Sequence, residues 1–361
     1  MDKVATGIKG FDELLHGGFL RGNTILVEGV PGAGKTTFGI EFIYHGITKF
    51  NEPGIIVTFE ELPESLYRDT LNLGWDLKAL EKANKLRVLC TSPELLLDPE
   101  VNLIETVVQE IGAKRILVDS ISHFQNVFNT SLPPRRAVYS FCNGLRRLGL
   151  TSILVKERVR EGAEGYTFEE YLVDAVIHLD NKERPGLHRH RMLEITKTRG
   201  QEHVPGKHTF SITNEGIKVY RLLSSVDIDF LQQQTNDILH TGIQGLDDLL
   251  QGGLPRGISI AVAGSPGTGK TSLGLQYLVK GAQEYGEKGL FLSLEEPPQQ
   301  LINNARLFNW DILTLQKEEK LIIKYLPLPK MEIDETIVTL TEWVKSLGAS
   351  RLVIDSVDIF L

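Results

Sequence analysis

Thr24-Ile-Leu-Val27-Glu28-Gly29-Val30-Pro31-Gly32-Ala33-Gly34-Lys35-Thr36-Thr37-Phe38-Gly39-Ile40 is the stretch on which the fold turns. Thr24 to Val27 form an apolar, β-branched run that reads as a buried strand, and the residues from Thr37 to Ile43 have helical spacing. Between them, from Gly29 to Thr36, lies G-x-x-x-x-G-K-S/T, a phosphate-binding loop in its required setting of strand, loop and helix. Glycines let backbone N–H groups turn inward around phosphates, and the helix N-terminus adds its dipole. Lys35 then reaches the terminal phosphate oxygens and the Thr36 hydroxyl serves Mg²⁺, with Gly29, Pro31, Gly32, Ala33, Gly34 and Thr37 shaping the cradle.

The same loop returns 235 residues later as Gly264-Ser-Pro-Gly267-Thr268-Gly269-Lys270-Thr271-Ser272. Thr6-Gly7-Ile8 likewise returns as Thr241-Gly242-Ile243, Asp12 as Asp247, Gly17-Gly18 as Gly252-Gly253, and Trp75-Asp76 as Trp310-Asp311. A register held over that distance marks a duplicated domain. The polar stretch with Gln232-Gln233-Gln234 reads as a linker, so the expected organisation is a first domain at 1–225, a linker at 226–237 and a second domain at 238–361.

Carboxylates end the other apolar runs. Arg115-Ile-Leu-Val-Asp119 and Arg351-Leu-Val-Ile-Asp355 place an acid at a strand's C-terminal end, beside the metal that Thr36 and Thr271 would share. An aspartate there also suits a helix cap, and its pairing with a phosphate loop favours the metal role. Glu60-Glu61 and Glu295-Glu296 follow two further runs and are candidates to take a proton from an attacking water. Pro63 and Pro297-Pro298 behind them equally suit a first helical turn.

With 361 residues, 41% of them hydrophobic, the chain can bury a sizeable core. It has no apolar run of membrane-spanning length and no signal-like start, so a cytoplasmic location is expected. Cys90 and Cys142 are expected to be free and partly buried. A formal net charge of -8 argues against nucleic acid as a partner. The polar segment from Phe124 to Arg136 is the best local argument for such a contact and reads better as a subunit or partner loop. Arg146-Arg147 reads as a solvated face, and His188-Arg189-His190-Arg191 as a solvated hairpin tip.

These residues together resemble the KaiC-like ATPases of the RecA superfamily over almost the whole chain. The resemblance rests on Thr6-Gly-x-x-Gly-x-Asp12 with Gly17-Gly18, Glu60-Glu61, Gly74-Trp75-Asp76, Glu169-Glu170-Tyr171-Leu-Val-Asp174, and Ile195-Thr-Lys197-Thr-Arg199-Gly200 followed by His203. It implies an α/β, RecA-like P-loop NTPase, duplicated in tandem, with a central, mostly parallel sheet flanked by helices. ATP and Mg²⁺ are the implied cofactors. A homohexameric ring with nucleotide at its subunit interfaces, slow hydrolysis, a signalling or clock-type role and regulatory protein partners are implied with them. In the family a Lys-x-Arg hairpin reaches the neighbouring subunit's γ-phosphate, which casts Lys197 and Arg199 as trans-acting fingers. His203 becomes a phosphate or ribose contact, and Thr213 and Asn214 further contacts to the neighbour's nucleotide.

On residues alone, Lys197 shares the parity of Leu193 and Ile195 on a strand, and the pair alternates outward. In the fold that the resemblance implies, the strand after the metal aspartate lies between the aspartate strand and the phosphate-loop strand, and Thr151-Ser-Ile-Leu-Val-Lys156-Glu157 is the candidate for it. No counterpart follows Asp355, so the second sheet is expected to keep a central gap, at on the order of 1–3 kcal/mol for each unpaired backbone group. The second domain is accordingly expected to be truncated, and the chain a fragment of a longer product. The family's phosphorylated Ser and Thr would lie beyond Leu361, so serine/threonine autokinase activity belongs to the full-length protein. Two competing readings stand beside the slow ATPase: a RecA- or RadA-like DNA-handling ATPase, and an ATP-binding regulator without turnover.

Overall fold

Repetition governs the architecture as it governs the sequence. The computed structural model describes residues 2–97, 102–124, 134–158, 167–182, 190–221, 237–326 and 333–356. The chain forms two units, Met1–Leu222 and Leu223–Leu361. Apart from Asp237, the linker expected at 226–237 lies outside the described residues, as do 125–133 of the polar loop and His188-Arg189.

In the first unit a two-stranded ribbon, β1 (Lys3–Val4) and β2 (Phe19–Leu20), precedes a nine-stranded sheet. The sheet strands are β3 (Thr24–Gly29), β4 (Gly54–Thr58), β5 (Leu86–Cys90), β6 (Arg115–Asp119), β7 (Thr151–Glu157), β8 (Ala175–Lys182), β9 (His190–Thr198), β10 (Lys207–Thr213) and β11 (Gly216–Tyr220). Their spatial order is β11-β10-β9-β8-β3-β7-β6-β4-β5. From β8 to β5 all neighbours are parallel, and β9 to β11 extend the sheet antiparallel. β7 sits between β3 and β6, as the resemblance implied.

The central parallel strands β3, β4, β6 and β7 are buried on both faces because helices cover both. On one face, Phe38, Phe42 and Ile43 of the helix Lys35–Phe50 pack on Ile25, Val27 and Leu117. On the other, Ile104 and Val107 of Leu103–Ile111 and Phe141 and Leu145 of Pro134–Arg147 pack on Leu26, Val118 and Leu154. This is the α/β, RecA-like arrangement. The recurring Thr-Gly-Ile and Asp residues form a turn ahead of the sheet. Asp12 accepts from the Thr6 N–H (2.8 Å), the Thr6 hydroxyl (2.7 Å) and the Gly7 N–H (2.9 Å). Asp247 accepts likewise from the Thr241 and Gly242 N–H groups.

The second unit holds the ribbon β12 (Ile238–Leu239) and β13 (Leu254–Pro255), and a parallel sheet of β14 (Gly289–Ser293), β15 (Leu321–Tyr325) and β16 (Arg351–Asp355). Its order, β15-β14-β16, repeats β5-β4-β6. Residues 259–264, the counterpart of β3, pair with no strand among the described residues. Ile258, Ile260 and Val262 are half exposed there (51%, 52% and 53%).

Three smaller expectations need correcting, the first being His190, which is buried at the start of β9 and not on a solvated hairpin tip. Cys142 is buried but Cys90 is exposed at the end of β5. Arg146 is not part of a solvated face, for its guanidinium donates to Asp174 Oδ2 (2.8 Å) and to the Leu172 carbonyl (3.3 Å).

Candidate nucleotide site

The loop from Gly29 to Lys35 closes because Gly32 and Gly34 take left-handed backbone angles, φ 74° and 97°. A side chain at Gly34 would also meet Ile212 of β10, whose Cδ1 is 2.7 Å from an added Cβ. Ala33 is buried while Pro31 and Gly32 lie on the exposed rim. Lys35, at the first turn of its helix, is buried and donates to the Val30 carbonyl at 3.0 Å, inside the loop it would share with phosphate. Burial pushes the Lys35 ammonium below its usual pKa, and the carboxylates of Glu157 and Asp119 oppose that shift. Thr37 follows, half-buried on the same helix.

One residue on, the Thr36 hydroxyl donates to Asp119 Oδ2 at 2.6 Å across 83 residues of sequence. The parallel register that sets β6 beside β7, and β7 beside β3, brings the two together. Burial raises the Asp119 pKa, with the Thr36 hydrogen bond and Lys35 pulling the other way. A carboxylate so desolvated gains from a cation.

Glu60 and Glu61 follow β4 at the same sheet edge. The Thr58 hydroxyl donates to the Glu61 carbonyl (2.6 Å), fixing the turn. The Glu61 carboxyl is held above the usual range by burial, then by Asp69 and Asp119. Glu60 is 80% exposed and faces His123 Nε2 at 3.6 Å. Thr36, Glu60, Glu61, Asp119, His123 and Glu157 line one cleft of about 180 Å³. His123 and Glu157 were not singled out by the sequence. Glu157 had a usable signal, a carboxylate ending an apolar run as Asp119 does, whereas nothing in the local pattern marks His123.

Lys197 and Arg199 lie on β9 and just beyond it, on the other side of β8. The pairing of β8 with β9 runs Ile177↔Ile195 and then Val176↔Lys197, so Thr196 is an extra residue in a bulge. The parity reading therefore fails at Lys197, because a bulge turns the following side chain to the opposite face. Lys197 points with Val176 and donates to the carbonyls of Glu170 and Val173 (2.9 Å to the latter). Arg199, 53% exposed, donates to the Tyr171 carbonyl (2.7 Å) and stands 3.8 Å from Asp174. His203 Nδ1 is 3.0 Å from the Thr198 hydroxyl. Thr213 accepts from the Glu215 N–H in the β10–β11 turn that includes Asn214. None of these five residues lines the cleft of its own chain among the described residues.

The second unit repeats the first. Gly267 and Gly269 take φ 81° and 92°. Lys270 donates to the Gly264 and Ser265 carbonyls, and the Thr271 hydroxyl to Asp355 Oδ2 at 2.6 Å. Thr268 donates to the Ser265 carbonyl, and Ser272 follows on the helix Lys270–Glu284. Ser293 takes the place of Thr58, donating to the Glu296 carbonyl (2.6 Å). Glu295 accepts from Ser356 (2.8 Å), and burial with Asp355 and Glu295 raises the Glu296 pKa.

Such a site can cradle a polyphosphate, hold a hard cation beside it and present a carboxylate to water. A family model described as "ATPase: KaiC" matches residues 4–224 and 239–361. Among curated proteins, the "Circadian clock oscillator protein KaiC" of Acaryochloris marina is 33% identical over 367 residues, covering 98% of this chain and 69% of that protein. The protein of the same name from Synechococcus elongatus is 31% identical over 369 residues, again covering 98% and 69%.

Proposed function

Because the chain belongs to the KaiC family of ATPases, we propose that it is a slow, Mg²⁺-dependent ATPase. It works as a homohexameric ring with nucleotide at the subunit interfaces, in a timing or signalling role suggested by its relatives' names. The observation that carries the hydrolytic reading is the 2.6 Å contact of Thr36 with Asp119, beside Lys35 and within one cleft with Glu61. Lys35 and the loop N–H groups hold the phosphates, and Glu61 takes the proton of the attacking water.

Mg²⁺ fits this donor set. No cluster of three or more His, Cys, Asp or Glu suited to a metal occurs among the described residues. One hydroxyl and one half-buried carboxylate remain, and Mg²⁺ characteristically takes one or two protein groups, substrate phosphates and water. When bound, it would neutralise charge on the phosphate oxygens.

No lysine or arginine is among the described residues lining the cleft. Phosphoryl transfer ordinarily calls on a further cation, which supports a finger from a neighbouring subunit. No described helix is long and apolar enough to cross a membrane.

The test is phosphate release from ATP with and without Mg²⁺ and with and without single-stranded DNA, alongside light-scattering mass with and without ATP·Mg²⁺. Slow, metal-dependent release indifferent to DNA, with assembly driven by ATP, is expected. Strong stimulation by DNA would replace this reading with the DNA-handling one, and binding without release would leave a regulator.

A further inference from the structure

Glu157 is tied into the phosphate loop through its backbone. It is the register partner of Gly29 across the β3–β7 pair. Its N–H donates to the Ser122 hydroxyl (2.9 Å), and the next N–H, of Arg158, donates to the Gly29 carbonyl (3.0 Å). The residue is thereby clamped between the start of the loop and the turn after β6, and it lines the same cleft as Thr36, Glu61 and Asp119.

Among the described residues its carboxylate, unlike its neighbours', has no partner. Lys156, one residue back, is spent on Thr167 and Glu169. Asp119 takes the Thr36 hydroxyl. The Glu157 side chain has no hydrogen bond or ion pair among the described residues and is exposed to the cleft. Its charge is felt by both Lys35 and Asp119. A fixed negative charge here opposes the charge an arriving terminal phosphate adds.

We propose that Glu157 is an electrostatic gate that selectively weakens ATP at the first site, so that tight ATP binding requires a neutralising cation brought from outside the unit. The proposal rests on the ATP-site reading above and adds a regulator to it. ADP, lacking the terminal phosphate, meets the gate only weakly. A bound Mg²⁺ would blunt the gate, and an arginine from a second copy of the chain would complete the neutralisation, making ATP occupancy depend on assembly.

The experiment is calorimetric titration of the full chain carrying Lys270→Ala, so that the first site alone reports, with and without Glu157→Gln. A non-hydrolysable ATP analogue and ADP are titrated in Mg²⁺ and in EDTA, below the concentration at which the chain assembles. The expected result is analogue binding tightened about tenfold by Glu157→Gln, more in EDTA than in Mg²⁺, with ADP changed less than about threefold. Weaker analogue binding in Mg²⁺ would overturn the gate, since Glu157 would then be supporting the metal's water shell. An equal gain for ADP would overturn it too. If wild-type binding is itself absent, or is indifferent to Lys35→Ala, the ATP-site reading has failed, and that result is distinct from either.

Discussion

Glu60 and Glu61 are adjacent in sequence and differ in surroundings. Glu60 is 80% exposed toward His123, while Glu61 is drawn into the cleft with a raised pKa. A base near neutrality gains driving force for proton transfer as its pKa rises toward the working pH. Glu61→Gln should therefore lower turnover by about 10²-fold or more, and Glu60→Gln by about tenfold or less. The carboxylate form is the active one, so turnover in the wild type should climb with pH through the raised Glu61 pKa and then level off. Steady-state phosphate release from pH 4.5 to 8 reads both effects, and equal losses in the two variants would refute the assignment. At this scale the sequence was most legible where residues form a contiguous motif, as from Gly29 to Thr36, or end a strand, as Asp119 does. It was least legible where side chains meet through tertiary register. Glu157 carries a strand-end signal but meets the site only through the pairing of β7 with β3 and β6, and Lys197 turns away from Ile195 because of a one-residue bulge that alternation alone cannot show.

At the scale of elements, the helix Lys35–Phe50 is fastened at its far end by groups that no motif announced. Arg115, 1% exposed at the start of β6, donates to Glu52 (2.7 Å) and to the Phe42 carbonyl (3.0 Å), and its guanidinium lies over the Phe42 ring. Arg351 repeats this with Glu287 and the Tyr277 carbonyl. Gly46 is the matching concession, since an added Cβ would stand 2.4 Å from the Arg115 Cδ. Both arginines were visible as the first residue of an aspartate-ending strand, but their burial depends on the helix that crosses them. On the same helix, Glu41 accepts from the Ile217 N–H of β11 (2.8 Å), and burial raises its pKa to about 7. Its proton is favoured in the folded state, so its contribution to stability is full below the unfolded value of 4.5 and is lost as pH rises through about 7. His45, 3.7 Å away with its pKa lowered to about 4, works in the opposite sense, losing stability as pH falls from 6.5. Glu41→Gln keeps an acceptor for Ile217 without the charge and isolates the first effect. It should stabilise the first unit by about 1–3 kcal/mol at pH 8, with the gain vanishing near pH 4.5. Urea unfolding at the two pH values measures this, and a gain independent of pH would rule out titration of Glu41.

For the whole molecule, the duplicated residues repeat the phosphate-loop geometry in each unit, but the proposed hydrolysis calls for a cation that the described lining of the first cleft lacks. Lys197 and Arg199 are the candidates, and they are unequal. Lys197 is drawn onto two carbonyls of its own chain and turned by the bulge, so releasing it would break two charge-assisted bonds. Arg199 is half exposed and held by one carbonyl hydrogen bond, with Asp174 at 3.8 Å, so it is the more easily freed for a neighbour's phosphate. A finger acting in trans has a signature that a merely structural arginine lacks, namely complementation. Arg199→Ala chains keep an intact cleft, and Lys35→Ala chains keep an intact finger. Each variant alone should turn over ATP at least about 10³-fold more slowly than wild type if the arginine stabilises the transferring phosphoryl group. Mixed before assembly, the two should regain activity, because some interfaces then join a good cleft to a good finger. The regained fraction should follow the mixing ratio and peak near equal amounts. Mixed rings verified by mass that show no recovery would place Arg199 in its own chain's architecture, tied to Tyr171. The parallel mixture with Lys197→Met is expected to recover little, because losing the clamp on Glu170 and Val173 would disturb the hairpin in whichever chain carries it.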